Sequence, residues 1–404
     1  MTDAVIVATA RSPIGRAGKG SLKDMRPDDL AAQMVRAALD AVPELDPAQL
    51  DDLILGCGNP GGEQGFNMAR IVAVQLGYDE LPGTTVTRYC ASSLQTTRMA
   101  FHAIKAGEGH AFVSAGVETV SRYVKGMSDS LPDTQNPLFD DAQKRTARLA
   151  ETNDPWTDPR GAGLLPDAYI AMGQTAENVA HTTGITREDQ DRWAVRSQNR
   201  AEQAIAEGHF AREITPVTLP DGTVVSTDDG PRAGTTLEKV AALKPVFRVD
   251  GTVTAGNACP LNDGAAALVI MSAERARDLG LRPLARIVST GVSGLSPEIM
   301  GLGPVEASRR ALALAGMTID DVELVEINEA FAVQVLGSAR ELGIDEEKLN
   351  VSGGAIALGH PFGMTGARIT ASLLNNLERH DKQIGLETMC VGGGQGMAMV
   401  LERL

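Results

Sequence analysis

The strongest constraint on this chain is that it repeats itself. Residues 36–56, RAALDAVPELDPAQLDDLILG, and residues 309–329, RRALALAGMTIDDVELVEINE, share an order of features: helix, Pro- or Gly-bearing break, short acidic segment, strand. The correspondence extends outward from these two stretches. A strand over 4–9 is matched at 284–289, and a helix over 30–39 at 305–314. The strand and helix of 84–106 are matched by 349–352 and 365–377, and the strand at 111–115 by 386–390. Strands alternating with helices of this length predict two similar α/β halves, each with a largely parallel sheet. The halves fall at 1–120 with 250–272, and at 273–404, with 121–249 inserted between them. Within the insertion, 129–166 is rich in Pro, Asp and Asn without a period, 173–207 is strongly helical, and 219–232 is polar and turn-rich. That texture predicts a loop-rich segment covering a site, not a third regular sheet.

Composition narrows the class. The 404 residues are 43% hydrophobic and 22% charged, as in an ordinary globular protein of two or three domains. A net charge of -15 without a clustered basic face argues against a nucleic-acid partner. No apolar run reaches the roughly 18 residues of a membrane span, and the opening MTDAVIVATARSPIGR reads as a first strand, not a leader. The cysteines, Cys57, Cys90, Cys259 and Cys390, contain no C-x-x-C pair, so neither a zinc site nor a disulfide framework is expected. Reduced thiols in a cytoplasmic protein, with no bound metal, are the expectation.

Chemistry concentrates at the turns that the repeat superimposes. Cys90 lies between the β-branched 85–87 and a helix that Gly107 ends. Ser92 and Ser93 can cap that helix, and its unpaired N–H groups would favour a thiolate. Lowering a thiol pKa from about 8.5 by roughly 1.5–2 units would make it mostly thiolate at neutral pH. The bland alternative is a small buried hydrophobe. The equivalent turn of the second half holds His360 within the glycine-rich 353–363. In open α/β sheets such turns, at the carboxyl ends of strands, form sites. Cys390 precedes the glycine turn 392–394, whose free N–H groups suit an oxyanion, while the Lys of a phosphate-binding loop is missing. Asn328 follows a strand and opens a helix, where an Asn is ordinarily an N-cap.

Taken together, NEAFA at 328–332, GGAIALGHPFG at 353–363, CVGGGQG at 390–396, and TVTAGN at 252–257 followed by NDGAA at 262–266 resemble the thiolase family, over nearly the whole length. The resemblance implies a layered αβαβα fold of duplicated halves with an inserted loop domain. It implies an acyltransferase that cleaves 3-ketoacyl-CoA with CoA, through an acyl group carried on Cys90. His360 would activate Cys90, and Cys390 would be the acid/base. One oxyanion hole would be His360 with a water held on Asn328, the other the N–H groups of Cys90 and Gly392. CoA would be a co-substrate, with no cofactor permanently bound. Arg232 matches the adenine end of the CoA site. Phe247, Ala255 and Leu261 match the pantetheine channel, while Ala330 and Phe331 match the far side near the acyl group. For each apolar residue alone, ordinary core is the alternative. A homodimer or dimer-of-dimers tetramer follows by analogy.

Departures from the family pattern bear on the pocket. Cys259-Pro260 stands where many relatives have Ser-Gly, which would weaken a hydroxyl contact to pantetheine. Ala171 precedes Met172-Gly173, where biosynthetic acetoacetyl-CoA thiolases commonly have His. This favours longer or bulkier acyl chains, fatty or steroid-derived, over condensation of two acetyl-CoA. A ketoacyl-synthase-type condensing enzyme would lack Cys390, and a non-catalytic acyl-CoA-binding protein need not retain Cys90, Asn328, His360 and Cys390 together.

Overall fold

The computed structural model describes residues 2–125 and 133–404; the part of the insertion at 126–132 lies outside them. The first half comprises β1 (Ala4–Arg11), α1 (Pro27–Asp40), β2 (Asp52–Cys57), α2 (Met68–Gln75), β3 (Gly83–Val86), α3 (Ser92–Ala106) and β4 (Ala111–Thr119). The insertion contributes α4 (Met172–Thr183) and α5 (Arg187–Ala206), after which β5 (Asn262–Ser272) returns to the sheet. The second half comprises β6 (Ala285–Gly294), α6 (Gly303–Ala315), β7 (Leu324–Ile327), α7 (Ala332–Leu342), α8 (Thr365–Arg379), β8 (Ile384–Val391) and β9 (Gln395–Arg403).

The strands run in the order β7-β8-β9-β6-β1-β5-β4-β2-β3. The two sides of the β6–β1 junction mirror one another. Parallel β3–β2–β4 joins antiparallel β5 and β1. In the second half parallel β7–β8 joins antiparallel β9 and β6. The counterpart of β3 shrinks to a single parallel bridge between Val325 and Leu349, so the strand expected at 349–352 is vestigial. Within the sheet the halves are joined by the pairs Val5–Arg286 and Ile6–Ala285.

Alternation along the strands feeds three cores. Val5, Leu53, Leu55 and Val113 face Leu30, Met34 and Val72 of the outer helices α1 and α2. Val325, Ile327, Leu386 and Val400 face Val305, Leu312 and Leu336 of α6 and α7. Ile54, Phe112 and Leu268 from one half, with Leu324, Met389 and Met399 from the other, enclose α3 and α8. A single core fed by both halves means that α3 and α8 lie between them, giving five layers, helix–sheet–helix–sheet–helix.

The insertion is fastened at both sides. Its Val179 and Trp193 join the core of the second half. On the other side the fully buried Arg11 of β1 pairs with Glu213 at 2.8 Å and Asp228 at 2.7 Å. Asp228 also accepts the Ile14 N–H at 2.8 Å, so the turn after β1 is shaped by the inserted segment.

The central layer depends on a close approach. A Cβ on Gly366, in the first turn of α8, would overlap the backbone of Leu94 in the first turn of α3. Backbone cannot yield as a side-chain tip can, so Gly366→Ala is expected to destabilise the protein by roughly 2–3 kcal/mol, read as a lower urea midpoint at unchanged slope.

Candidate active site

Chain leaves β3 and makes one tight turn, Tyr89–Ala91, before α3 begins. Tyr89 is held at φ 43. Left-handed backbone costs a non-glycine residue about 1–3 kcal/mol and persists only where its surroundings enforce it. Ser92 does the enforcing: its Oγ accepts the Arg88 N–H at 2.9 Å and donates to the Tyr89 carbonyl at 2.7 Å. Ser93 Oγ accepts the Ala367 N–H of α8 at 2.9 Å. Neither serine caps α3, contrary to the reading from sequence; one clamps the cysteine turn and the other ties α3 to α8. Arg88 spans Gln95 at 3.0 Å and Gln395 at 2.8 Å, joining the turn to the start of β9.

Cys90 is 8% exposed. Burial pushes its thiol up to about 11, although the N–H groups of Gly392 and of Cys90 itself favour the thiolate. Desolvation therefore outweighs the turn and helix N–H groups, and the expected depressed pKa is reversed. The resting sulfur is a thiol that needs a base.

His360 has the matching property. Its backbone N–H donates to Asn262 Oδ1 at 2.9 Å, and its ring meets Phe362 edge-on at 5.1 Å. Burial, assisted by Arg368, lowers its pKa to about 3, so the imidazole is neutral. The tautomer follows from its partners. Thr365 Oγ1 donates its one proton to the Pro361 carbonyl at 2.8 Å, so it receives a hydrogen bond from Nδ1 at 2.6 Å. Nε2 thus keeps its lone pair, which accepts from Asn328 Nδ2 at 3.2 Å. A neutral imidazole with a free Nε2 lone pair is a base and, once protonated, a donor.

Asn328 is not the N-cap of α7, a position held by Phe331. Its neighbour Glu329 accepts from Trp193, Ser197, Asn350 and the Ile356 N–H at 2.6–3.1 Å, fixing the loop to α5 and to the glycine-rich segment. Cys390 is fully buried in β8, its thiol pushed up by desolvation. A second carboxylate, Glu118 at the end of β4, accepts the N–H groups of Gly58, Asn59 and Gly363, the Gln64 amide and the Tyr123 hydroxyl. It joins the histidine loop to the turn after β2.

A cavity of about 470 Å³ opens onto Cys90. Tyr89, Cys90, Phe362, Gly392 and Gly393 come from the two halves, and Thr134, Gln135, Ala168, Tyr169, Ile170 and Met172 from the insertion. Of the other residues singled out from sequence, Phe247 and Phe331 meet edge-to-face at 6.2 Å beside Gly173. Cys259 donates its N–H to Ala330 at 3.0 Å. Arg232, Ala255 and Leu261 are exposed and line none of this cavity. Arg232 lies near Arg16, and its guanidinium has no ion pair among the described residues. Sequence reading missed Thr365, Gln334 and Glu118. Their signals were a Thr one helical turn beyond His360, a Gln within the helix after 328–332, and a lone Glu closing β4. Among the described residues no cluster of His, Cys, Asp and Glu could hold a metal, and no helix is long and apolar enough to cross a membrane.

Comparison with known proteins finds one family over nearly the whole chain. The family model described as "Thiolase, N-terminal domain" matches residues 4–274, and "Thiolase, C-terminal domain" matches 281–403. The chain is 44% identical to a 3-ketoacyl-CoA thiolase of Bacillus subtilis and 43% to a beta-ketoadipyl-CoA thiolase of Acinetobacter baylyi, covering 100% of both chains in each case. The crystal structure of Bacillus anthracis acetyl-CoA acetyltransferase superimposes with a TM-score of 0.86 at 41% identity, covering 100% of this chain and 99% of that one. Human mitochondrial 3-ketoacyl-CoA thiolase in complex with CoA gives 0.86 at 35%, covering 100% and 98%.

A neutral buried His360 makes stability depend on pH. Its folded pKa of about 3 lies below the ordinary 6.5, so between these values the unfolded chain binds a proton that the folded one does not. The contribution is complete above pH 6.5 and is lost as pH falls towards 3. Urea unfolding at pH 7 and 4.5 should differ by roughly 2–3 kcal/mol more in the wild type than in His360→Asn. Equal pH dependence in the two would contradict the neutral assignment.

Proposed function

We propose that this chain, which belongs to the thiolase family, cleaves 3-ketoacyl-CoA with CoA to acetyl-CoA and a shortened acyl-CoA. The observation that carries this reading is a cavity that brings Cys90 together with the Gly392 turn and with Phe362 of the histidine loop, burial holding both Cys90 and His360 neutral. Cys90 Sγ attacks the 3-keto carbon, and its proton passes to His360 Nε2. The new Nε2–H then faces developing negative charge, so the thiolate–imidazolium pair need not exist before substrate arrives. Asn328, released as a donor to Nε2 once that nitrogen is protonated, serves this first oxyanion through a water that it holds. The Gly392 and Cys90 N–H groups serve the oxyanion formed when CoA attacks the acyl-Cys90 thioester. Cys390 protonates the acetyl-CoA enolate and then takes the proton of the incoming CoA thiol. The division into halves at 1–120 with 250–272, and 273–404, with 121–249 as a cover, belongs to this reading, as do the CoA contacts assigned to Arg232, Phe247, Ala255, Cys259 and Leu261 and the acyl-side contacts assigned to Ala330 and Phe331.

The cavity favours degradation of an uncharged acyl chain. Its volume, about 470 Å³, exceeds the needs of an acetyl group, and Ala171, next to the lining residue Met172, lacks the bulk of a His. No Lys or Arg lines it, and none occurs in residues 126–132. The beta-ketoadipyl-CoA relatives are named for a substrate whose acyl chain ends in a carboxylate; such a group buried here would lack a countercharge, which is costly. A biosynthetic acetoacetyl-CoA thiolase is the second reading, supported by the likeness to the acetyl-CoA acetyltransferase.

Two outcomes test the reaction and its substrate. Cys90→Ser should abolish both thiolysis and trapping of an acyl group on the chain, whereas Cys390→Ala should still be acylated but turn over about 10²–10⁴-fold more slowly. Acyl labelling of Cys90→Ser would refute the assignment. Among 3-ketoacyl-CoA esters of equal length, kcat/KM should be at least about tenfold higher for a methyl-terminated chain than for a carboxylate-terminated one; the reverse order would overturn the uncharged-chain reading.

A further inference from the structure

Gln334 is completely buried in α7, six residues beyond Asn328 and outside the four catalytic turns. Its Oε1 accepts the Ala330 N–H at 3.2 Å and faces Cys390 Sγ at 3.6 Å. The first bond fixes the second. A backbone N–H can only donate, so the amide presents oxygen to this corner, and Cys390 must be the donor. Rotating the amide to offer Nε2 to a thiolate would leave the Ala330 N–H without an acceptor, an expense of the unsatisfied-donor kind. The helix cannot readily shift either: a Cβ on Gly301 would lie 2.6 Å from that of Gln334, and Ser338 Oγ donates to the Gly301 carbonyl at 3.1 Å. Nε2 of Gln334 and Oδ1 of Asn328 are both buried without a partner among the described residues, so the bonds that fix the Gln334 amide are those of its oxygen.

We propose that Gln334 is a positioning residue that holds Cys390 in its protonated form between turnovers, so that the departing enolate meets a thiol and not a thiolate. The proposal rests on the thiolase reading above. In the step it serves, the Cys390 proton moves to the enolate carbon and the S–H electron pair stays on sulfur; the resulting thiolate then removes the proton of CoA. The titratable groups bearing on Cys390 are the Cys90 and Cys259 thiols. His360 is neutral, and Glu329, which bears on Cys259, is occupied by the four donors described above.

The test is the alkaline limb of the kcat–pH profile for thiolysis by the full-length enzyme, in two variants of opposite sign. Gln334→Met keeps the side-chain length but removes the acceptor, and should move the limb down by about 0.5–1 pH unit with KM for CoA unchanged. Gln334→Glu keeps an acceptor oxygen and adds negative charge, which should move the limb up. Limbs that stay fixed, or that move in the same direction in both variants, would overturn the proposal, since a merely structural loss lowers kcat without that sign pattern. Should the Met variant fail to fold, the Glu variant decides alone: an upward shift supports the role, and a fixed or downward limb refutes it. A wild-type enzyme without thiolysis would instead refute the reading of function.

Discussion

The site depends on how closely α3 and α8 approach one another in the central layer. Each helix begins at the turn that carries a reactive group, Cys90 before one and His360 before the other. Gly366 removes the side chain that would hold the first turns apart, and Ser93 then bonds across to the Ala367 N–H. Gly116 performs a similar service in β4, where a Cβ would overlap the Gly363 carbonyl of the histidine loop. These are contacts of backbone against backbone, and close-packed interiors transmit small displacements. A misplacement of about 1 Å is enough to cost a reaction some 10²-fold.

Burial then sets the chemistry. Burying Cys90, His360 and Cys390 disfavours every charged form, so the resting residues are neutral. In the proposed reaction, that neutrality would defer charge separation until a substrate oxygen can receive the negative charge. Thr365 contributes without touching the cysteine, since the direction of its hydroxyl proton decides which nitrogen of His360 is basic. Glu118 contributes at greater distance still. Its donors offset part of the cost of a buried carboxylate, which burial still pushes up, while fixing the loop that carries His360.

The insertion is more than a cover. Arg11, Glu213 and Asp228 bind it to the first half through a buried ion-pair network, and Trp193 seats it against the second. Losing one partner of such a network strands a charge at a cost of about 3–5 kcal/mol. Rigidity of this kind lets Ile170 and Met172, at the start of α4, form a wall beside Cys90.

The sequence by itself determined the duplicated α/β plan, the cysteine turn at a strand end, the glycine-rich turn of the histidine, and the insertion between the halves. These properties are local: side-chain period, glycine at tight turns and repeated order can all be read along the chain. It did not determine what Ser92, Asn328 or Cys90 would do. Ser92 and Asn328 have the chemistry of caps, and only the fold gave them nearer or better-placed partners at Arg88, Tyr89 and His360. Cys90 has the local setting of a thiolate, yet the fold buries it deeply enough for desolvation to prevail. Gln334 and Cys390 stand 56 residues apart, and nothing along the chain pairs them. Tertiary structure decided these matters because protonation and hydrogen-bond partnership depend on the surrounding dielectric and on distant neighbours, both of which arise only when the layers pack.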